Sequence, residues 1–257
     1  MIRKYYSYNV NGIRAVLRKD FLKWLEQEQP DVICLQETKA SPEQLDLSLF
    51  DELGYKNYWH SAEKKGYSSV AVLCREEPDL VQKGMGIERF DMEGRLMRVD
   101  FGDISIVNSY FPSGTTGTTR QDYKMDYLYD FQKYIDRLKK ERPKIIACGD
   151  YNICHRPIDI NHPERHKKTS GFLPEEREWM DHFLNSGFID SFREFNKEPE
   201  QYSWWSYRAN AREKNLGWRI DYHMVSEGLR HQLVNAAILK NVVHSDHCPV
   251  MVEIESE

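Results

Sequence analysis

Short runs rich in aliphatic and β-branched residues recur along the chain: Val32-Ile33-Cys34-Leu35, Val70-Ala71-Val72-Leu73, Ile104-Ser105-Ile106-Val107, Ile145-Ile146-Ala147-Cys148 and Val250-Met251-Val252-Glu253-Ile254. Runs of this length and composition predict strands. Residues 96–101 and 104–110, split by Gly102-Asp103, read as a hairpin. Between the strands the apolar spacing changes to that of a helix. A first helix is predicted over about 18–28, with Phe21, Leu22, Trp24 and Leu25 on one face, and a longer one over about 120–141, with Tyr127, Leu128, Phe131, Ile135 and Leu138 on one face. A third opens at Pro174-Glu175-Glu176, where proline and acids suit a helix N-terminus. Hairpins mixed with helices predict an α/β protein built on antiparallel or mixed sheets. With no linker, low-complexity tract or long-period repeat, residues 1–257 are expected to form one domain.

Composition narrows the class. The chain has 257 residues, 40% hydrophobic and 30% charged, an ordinary balance for a globular protein, and no apolar run long enough to span a membrane. The N-terminus carries no apolar signal segment, and its five cysteines are odd in number and scattered through apolar runs. Both point to reduced thiols in a cytoplasm, without a disulfide partner or zinc site. The net charge of −5 argues against a general nucleic-acid coat protein but leaves room for local basic patches at Lys64-Lys65, Arg165 to Lys168 and Arg208 to Lys214.

Chemically loaded residues fall just past strand ends, which suggests one shared cleft. Glu37 follows the 32–36 strand; it is either a solvated strand end or a carboxylate for a hard cation. Gly149-Asp150-Tyr151-Asn152 is good turn chemistry, and it also sets a water-orienting carboxylate two residues from an amide that can face a phosphate. His247, between Asp246 and Pro249, is a structural histidine, an oxyanion-stabilising cation or a base, and Asp221 is its candidate partner.

Several segments carry a resemblance: Ser7-Tyr8-Asn9-Val10-Asn11-Gly12-Ile13-Arg14-Ala15, Leu35-Gln36-Glu37-Thr38-Lys39, Asn108-Ser109-Tyr110-Phe111-Pro112 and Gly149-Asp150-Tyr151-Asn152. Further along come Gly171-Phe172-Leu173-Pro174-Glu175-Glu176-Arg177, Trp204-Trp205-Ser206-Tyr207-Arg208, Gly217-Trp218-Arg219-Ile220-Asp221-Tyr222 and Ser245-Asp246-His247-Cys248-Pro249. In this order they resemble the exonuclease III family of abasic-site endonucleases, within the superfamily that holds DNase I, inositol-phosphate phosphatases and sphingomyelinases. The two tryptophan segments are specific to the DNA-repair branch.

The resemblance implies a four-layer α/β sandwich of the DNase I-like kind, two packed mixed β-sheets flanked by helices. It implies Mg²⁺-dependent cleavage (with Mn²⁺ as a substitute) 5′ of abasic sites in double-stranded DNA to leave a 3′-hydroxyl. Exonuclease activity from 3′ ends and trimming of blocked 3′ ends go with it. The short N-terminus, without the added basic or targeting region of many eukaryotic relatives, points to a prokaryotic cytoplasm, and with no interface signal a monomer is expected. Carried over by position, Glu37 would be the main metal ligand, with Asn11 and Asp246 beside it. Asp150 would orient or deprotonate the attacking water. Asn9, Asn152, Tyr110 and His247 would surround the scissile phosphate, with Asp221 holding His247. Trp204, Trp218 and Ile220 would form the pocket for a flipped-out baseless sugar, and Arg208 would push into the DNA at the lesion. Lys65, Arg120, Lys124 and Lys168 would meet DNA phosphates. Three positions depart from the family pattern. Ser69 stands where glycine is common, Ser113 replaces a longer amide, and Thr169-Ser170 replaces Asn-Ala before Gly171-Phe172.

Two other readings remain at this stage: a phosphatase or lipid phosphodiesterase of the same superfamily, and a non-catalytic binding module. The tryptophan segments disfavour the first, and retention of Glu37, Asp150 and His247 disfavours the second.

Overall fold

The apolar runs become strands because both of their faces are covered. In Val32–Gln36 and Val70–Cys74, alternate residues (Val32, Cys34, Val70, Val72, Cys74) pack into one apolar cluster, while Ile33, Leu35, Ala71 and Leu73 pack into another on the opposite face. Strands buried on both sides show continuous rather than alternating hydrophobicity. The computed structural model describes residues 1–255.

The strands in chain order begin β1 (Ile2–Asn9), β2 (Val32–Gln36), β3 (Lys56–His60), β4 (Val70–Cys74), β5 (Leu80–Lys83), β6 (Leu96–Phe101) and β7 (Ile104–Tyr110). They continue with β8 (Lys144–Asp150), β9 (Phe188–Asp190), β10 (Trp204–Trp205), β11 (Gly217–Trp218), β12 (Asp221–Ser226), β13 (Leu233–Ile238) and β14 (Val250–Glu255). One six-stranded sheet has the order β13-β14-β1-β2-β4-β3 and a second β5-β6-β7-β8-β12-β9, while β10 and β11 pair by themselves. The two large sheets repeat one plan. Each has a central parallel pair (β1 with β2, β7 with β8), flanked by antiparallel neighbours. The hairpin expected at 96–110 is β6–β7, turning at Gly102 with φ +55°.

The sheets meet through Cys34, Val70, Val72, Val99, Ile106, Ile146, Cys148 and Val252. Against the outer face of the second sheet lies the helix Thr118–Glu141, burying Tyr127, Leu128, Phe131, Ile135 and Leu138, together with the helix Pro174–Asn185. The helix Phe21–Glu28 covers the first sheet with Phe21, Trp24 and Leu25. The four layers expected from the sequence are therefore present. A polar bridge crosses the sheet interface beneath the parallel strand ends. Gln36 Nε2 donates to Ser7 Oγ (3.0 Å) and Asn108 Oδ1 (2.8 Å), and Asn108 Nδ2 donates to the carbonyls of Leu35 and Ala71. These bonds fix the relative position of the two sheets at the end where the loaded residues emerge, although Gln36 Oε1 is buried without a partner.

Candidate active site

Both parallel pairs end at the same edge of the sandwich. Asn9 closes β1 and Glu37 follows β2; Tyr110 closes β7 and Asp150 closes β8. Asp221, which opens β12, is in register with Asp150, and Asp246-His247 leads into β14. The chain bends sharply where these side chains are presented. Asn11, Glu37 and Asn152 hold φ values of +44°, +54° and +53°. Left-handed backbone at non-glycine residues costs about 1–3 kcal/mol each and persists where the surroundings over-determine it. Gly149 has φ +140°, and a Cβ there would lie 1.8 Å from the Ser109 carbonyl oxygen, so the tight approach of β7 and β8 below Asp150 requires glycine.

Asp150 is the hub. Its Oδ2 accepts from Asn9 Nδ2 (2.8 Å) and Asn152 Nδ2 (3.3 Å), and its Oδ1 from the Asn152 backbone N–H (2.8 Å). Asn9 Nδ2 also reaches Glu37 Oε2 at 3.1 Å, linking the two carboxylates. His247 stands between Asp221 and Asp150, with Nδ1 2.9 Å from Asp221 Oδ2 and Nε2 3.9 Å from Asp150 Oδ2. Ser203 Oγ donates to the same Asp221 oxygen at 2.6 Å.

Burial sets the electrostatics, because Asp150, Asp221 and His247 are 1%, 2% and 4% exposed. Loss of solvation, together with the charge of Asp221, pushes the Asp150 carboxyl up to about 7. Burial works against the His247 imidazolium, but the carboxylates of Asp221, Asp150 and Asp246 overcome it and raise it to about 10. Tyr110, partly buried and facing Glu37 and Asp150, is held as the phenol, well above its ordinary value. Asp246 resists its own burial because His247 and the donors Asn11, Trp204 and Ser245 keep it below the usual carboxylate range.

Next to this trio lies an oxygen cluster. Asn11 Nδ2 bonds Asp246 Oδ1 at 3.0 Å, leaving Asn11 Oδ1 and the Glu37 carboxylate turned toward one side chain, Lys39. The Lys39 ammonium sits 2.5 Å from Asn11 Oδ1 and 2.9 Å from Glu37 Oε1. A protein cation thus rests among oxygen donors of the kind a hard divalent ion takes, so Glu37, Asn11 and Asp246 fit such an ion. The tighter buried group of Asp150, Asp221 and His247 is also within metal-ligating reach of itself. His247 Nδ1 and Asp221 Oδ2 are already paired with each other and Asp150 with Asn9 and Asn152, which suits proton handling better than ligation.

A cleft of ≈ 510 Å³ opens over these residues. One wall is apolar, made of Trp204, Trp218 and Ile220; the two indoles meet edge to face at 6.0 Å. Trp204 Nε1 donates to Asp246 Oδ2 (3.0 Å), so the apolar wall and the oxygen cluster share a hydrogen bond. The departures Ser113, Thr169 and Ser170 also line the cleft. Ser69 has φ +78°, a conformation that favours glycine, and its hydroxyl bridges Ala62 N–H and the Tyr67 carbonyl.

The basic residues separate. Lys65, Lys168 and Arg208 are exposed. Arg120 is tied to Glu93 (2.9 Å) and the Tyr67 hydroxyl. Lys124 does not meet the expectation of a DNA contact: it is 0% exposed and bonded to Glu176 Oε1 at 2.6 Å. Sequence reasoning also missed Lys39, Ser203 and Glu176. All three sit inside or beside the quoted segments, but nothing in their residue types marks a partner.

Residues 6–247, nearly the whole described chain, match the Endonuclease/Exonuclease/phosphatase family. The chain belongs to that family. An exodeoxyribonuclease of Bacillus subtilis (strain 168) is 46% identical over 249 residues, which is 96% of this chain and 97% of that protein. Among solved structures, an AP endonuclease from Archaeoglobus fulgidus has a TM-score of 0.90 at 29% identity, covering 99% of this chain and 100% of the other. A 3′ phosphatase from Neisseria bound to a product DNA hairpin has a TM-score of 0.91 at 25% identity, with 99% and 100% covered. These relatives place the chain in the nuclease branch of the Endonuclease/Exonuclease/phosphatase family, whose hydrolytic reactions depend on a metal ion.

Proposed function

We propose that this chain is a DNA-repair nuclease that hydrolyses the phosphodiester 5′ of an abasic site in duplex DNA, with Mg²⁺ as its ion and Mn²⁺ as a substitute. The same site would resect and unblock 3′ ends. The observation that carries this reading is the joining, through the Trp204–Asp246 hydrogen bond, of an apolar wall to the oxygen cluster that would hold the metal ion beside the phosphate. A baseless sugar is unstacked at low cost and fills such a wall, whereas an intact nucleotide is costlier to flip and is obstructed. The similarity to an exodeoxyribonuclease and an AP endonuclease supports it.

In this reading Asp150 takes the proton of a water as that water's oxygen attacks phosphorus. The P–O3′ bond of the upstream nucleotide breaks, and the departing O3′ takes up a proton from solvent, leaving a 3′-hydroxyl there and a 5′-phosphate on the abasic residue. Asn9 and Asn152 fix the Asp150 carboxylate, whose raised pKa makes it a stronger base than an exposed aspartate. His247 Nε2 and the Tyr110 phenol donate to phosphoryl oxygens as negative charge develops, and Asp221 keeps the imidazole oriented and charged. Glu37, Asn11 and Asp246 would hold the metal ion, which supplies charge neutralisation at the phosphate and leaving oxygen. Arg208, Lys65 and Lys168, all exposed, would contact the DNA, and Arg120 would do so from its pairing with Glu93.

The buried free thiols fit the cytoplasmic setting we propose, with the chain acting as a monomer. Among the described residues no helix is long and apolar enough to cross a membrane. The test is cleavage of an end-labelled duplex with one abasic-site analogue, with Mg²⁺ and with EDTA, beside an intact duplex. Metal-dependent incision immediately 5′ of the lesion is the expected result; a folded protein that leaves the lesion strand intact overturns the reading.

A further inference from the structure

Lys124 and Glu176 form an ion pair in which both side chains are 0% exposed, at 2.6 Å, between the helices Thr118–Glu141 and Pro174–Asn185. A buried pair adds little to stability that well-packed apolar residues of the same volume would not, since both charges must first be desolvated. What the pair does hold is a set of specific neighbours. Glu176 Oε2 accepts the backbone N–H of Gly171 (2.7 Å) and Leu173 (2.9 Å), and its Oε1 accepts Gln121 Nε2 (3.0 Å) and Ser170 Oγ (3.2 Å). Lys124 Nζ donates to the backbone carbonyl of Asn152 at 2.8 Å.

These contacts reach both halves of the cleft. The Ser170–Leu173 segment packs on the indole of the apolar wall, so closely that a Cβ on Gly171 would lie 2.8 Å from Trp218 and 3.1 Å from the Asn152 carbonyl oxygen. Asn152 in turn bonds Asp150 from both its backbone and its side chain. One carboxylate therefore fixes the segment that backs Trp218, and its ammonium partner fixes the turn that orients the hub carboxylate.

We propose that Lys124 and Glu176 are a positioning pair that sets lesion preference by locking the Trp218 wall and the Asn152 turn into one register. The proposal rests on the abasic-site reading above. An abasic substrate must seat its sugar against the wall and its phosphate against Asp150 at the same time. A substrate that engages mainly the phosphate side, such as a terminal 3′-phosphate, depends less on that register.

The test compares the parental protein, the near-isosteric E176Q and the apolar double variant K124M/E176L. Melting temperature is measured, together with kcat and KM for abasic incision and for removal of a 3′-phosphate from the same duplex. E176Q is expected to lower abasic kcat/KM by about 10- to 100-fold, mainly in kcat, as small misplacements near a reacting group do, while 3′-phosphate removal falls far less. The double variant removes both buried charges but leaves the Gly171 and Leu173 N–H groups and the Asn152 carbonyl without their partners, so it is expected to melt below the parental protein and not to recover the parental ratio of the two activities. Recovery of the ratio along with stability, or an equal loss of both activities in E176Q, overturns the proposal. Should the double variant fail to fold, the E176Q ratio decides alone. A parental protein inactive on abasic DNA but active on 3′-phosphate would refute the abasic reading, a separate result.

Discussion

His247 Nδ1 lies 2.9 Å from Asp221 Oδ2 while its Nε2 faces Asp150 Oδ2 at 3.9 Å, so one buried imidazole separates two buried carboxylates. Each group sets the state of the others. Without the imidazolium the two acids would repel one another across a poorly solvated gap, and without the acids the imidazole would be neutral. The arrangement keeps one acid poised as a base and the ring charged as a donor at the same pH.

Asp150→Asn keeps the shape of the hub and removes its proton acceptor. Turnover on abasic DNA is expected to fall about 10²–10⁴-fold, the usual share of a general base, with KM little changed. The melting temperature at pH 8 should stay level or rise, because burial and Asp221 disfavour the ionised Asp150 in the folded protein. Steady-state kinetics with a thermal melt check both; turnover within tenfold of the parental value would remove Asp150 from the role of base.

Asp221→Asn should act through pH. The His247 cation is raised, so its charge is complete at neutral pH and is lost only as pH climbs through about 10. Burial alone would lower it, and Asp221 makes the largest contribution that opposes burial. Removing that charge brings the alkaline limb of the rate profile down by about one unit or more. Profiles of kcat/KM from pH 6 to about 10.5 would read the shift. An unmoved alkaline limb would mean that His247 does not act as a cation.

Much of this was legible in the sequence, for identifiable reasons. Unbroken apolar runs of four or five residues reported strands covered on both faces, and the polar residues just beyond them turned out to share one edge because both parallel pairs end there. The Asp221–His247 contact, 26 positions apart, depends on where β12 and the loop before β14 come to rest, which no local pattern encodes. Lys124 is the instructive miss. It occupies the same helical stripe as Leu128, Phe131 and Ile135, so spacing already turned it inward, yet its charge invited a surface role. Its partner Glu176, at the start of another helix, could not be inferred.

Asp159→Asn probes the frame behind the apolar wall. Asp159 Oδ1 accepts Arg219 Nε (2.8 Å) and Arg193 Nη2 (2.6 Å), and Arg219, between Trp218 and Ile220, also bonds Asp190. Burial alone would raise the Asp159 carboxyl, but the two guanidinium groups hold it at about 2, below its ordinary 3.8. A depressed acid contributes stability above its unfolded pKa and loses it as pH falls through the folded one, here between about pH 4 and pH 2. The variant leaves buried guanidinium charge undercompensated and should be about 3–5 kcal/mol less stable at pH 7. Urea unfolding of both proteins at pH 7 and in acid should show the gap narrowing as pH falls. A gap that stays constant across that range would refute the ion-pair account.

Lys39→Met tests whether the oxygen cluster is a cation site at all. The Lys39 ammonium contacts Asn11 Oδ1 and Glu37 Oε1, the atoms proposed for the divalent ion, so ion and ammonium compete for the same oxygens. In the metal-free protein the lysine offsets the negative charge of Glu37 and Asp246; when the ion enters, that positive charge becomes a repulsion a few ångström away. Deleting it should tighten Mn²⁺ binding by about tenfold, the scale of one unit charge acting on a divalent ion at that range in a largely aqueous setting. The effect should shrink as salt rises, because Lys39 is partly exposed. Titration of free Mn²⁺ by electron paramagnetic resonance, without DNA, reads the affinity directly and apart from catalysis. Glu37→Gln serves as the opposite control and should weaken binding. Equal or weaker Mn²⁺ affinity in the Lys39 variant, with the Glu37 variant unchanged, would place the ion elsewhere and return the Glu37–Asn11–Lys39 contacts to a structural role.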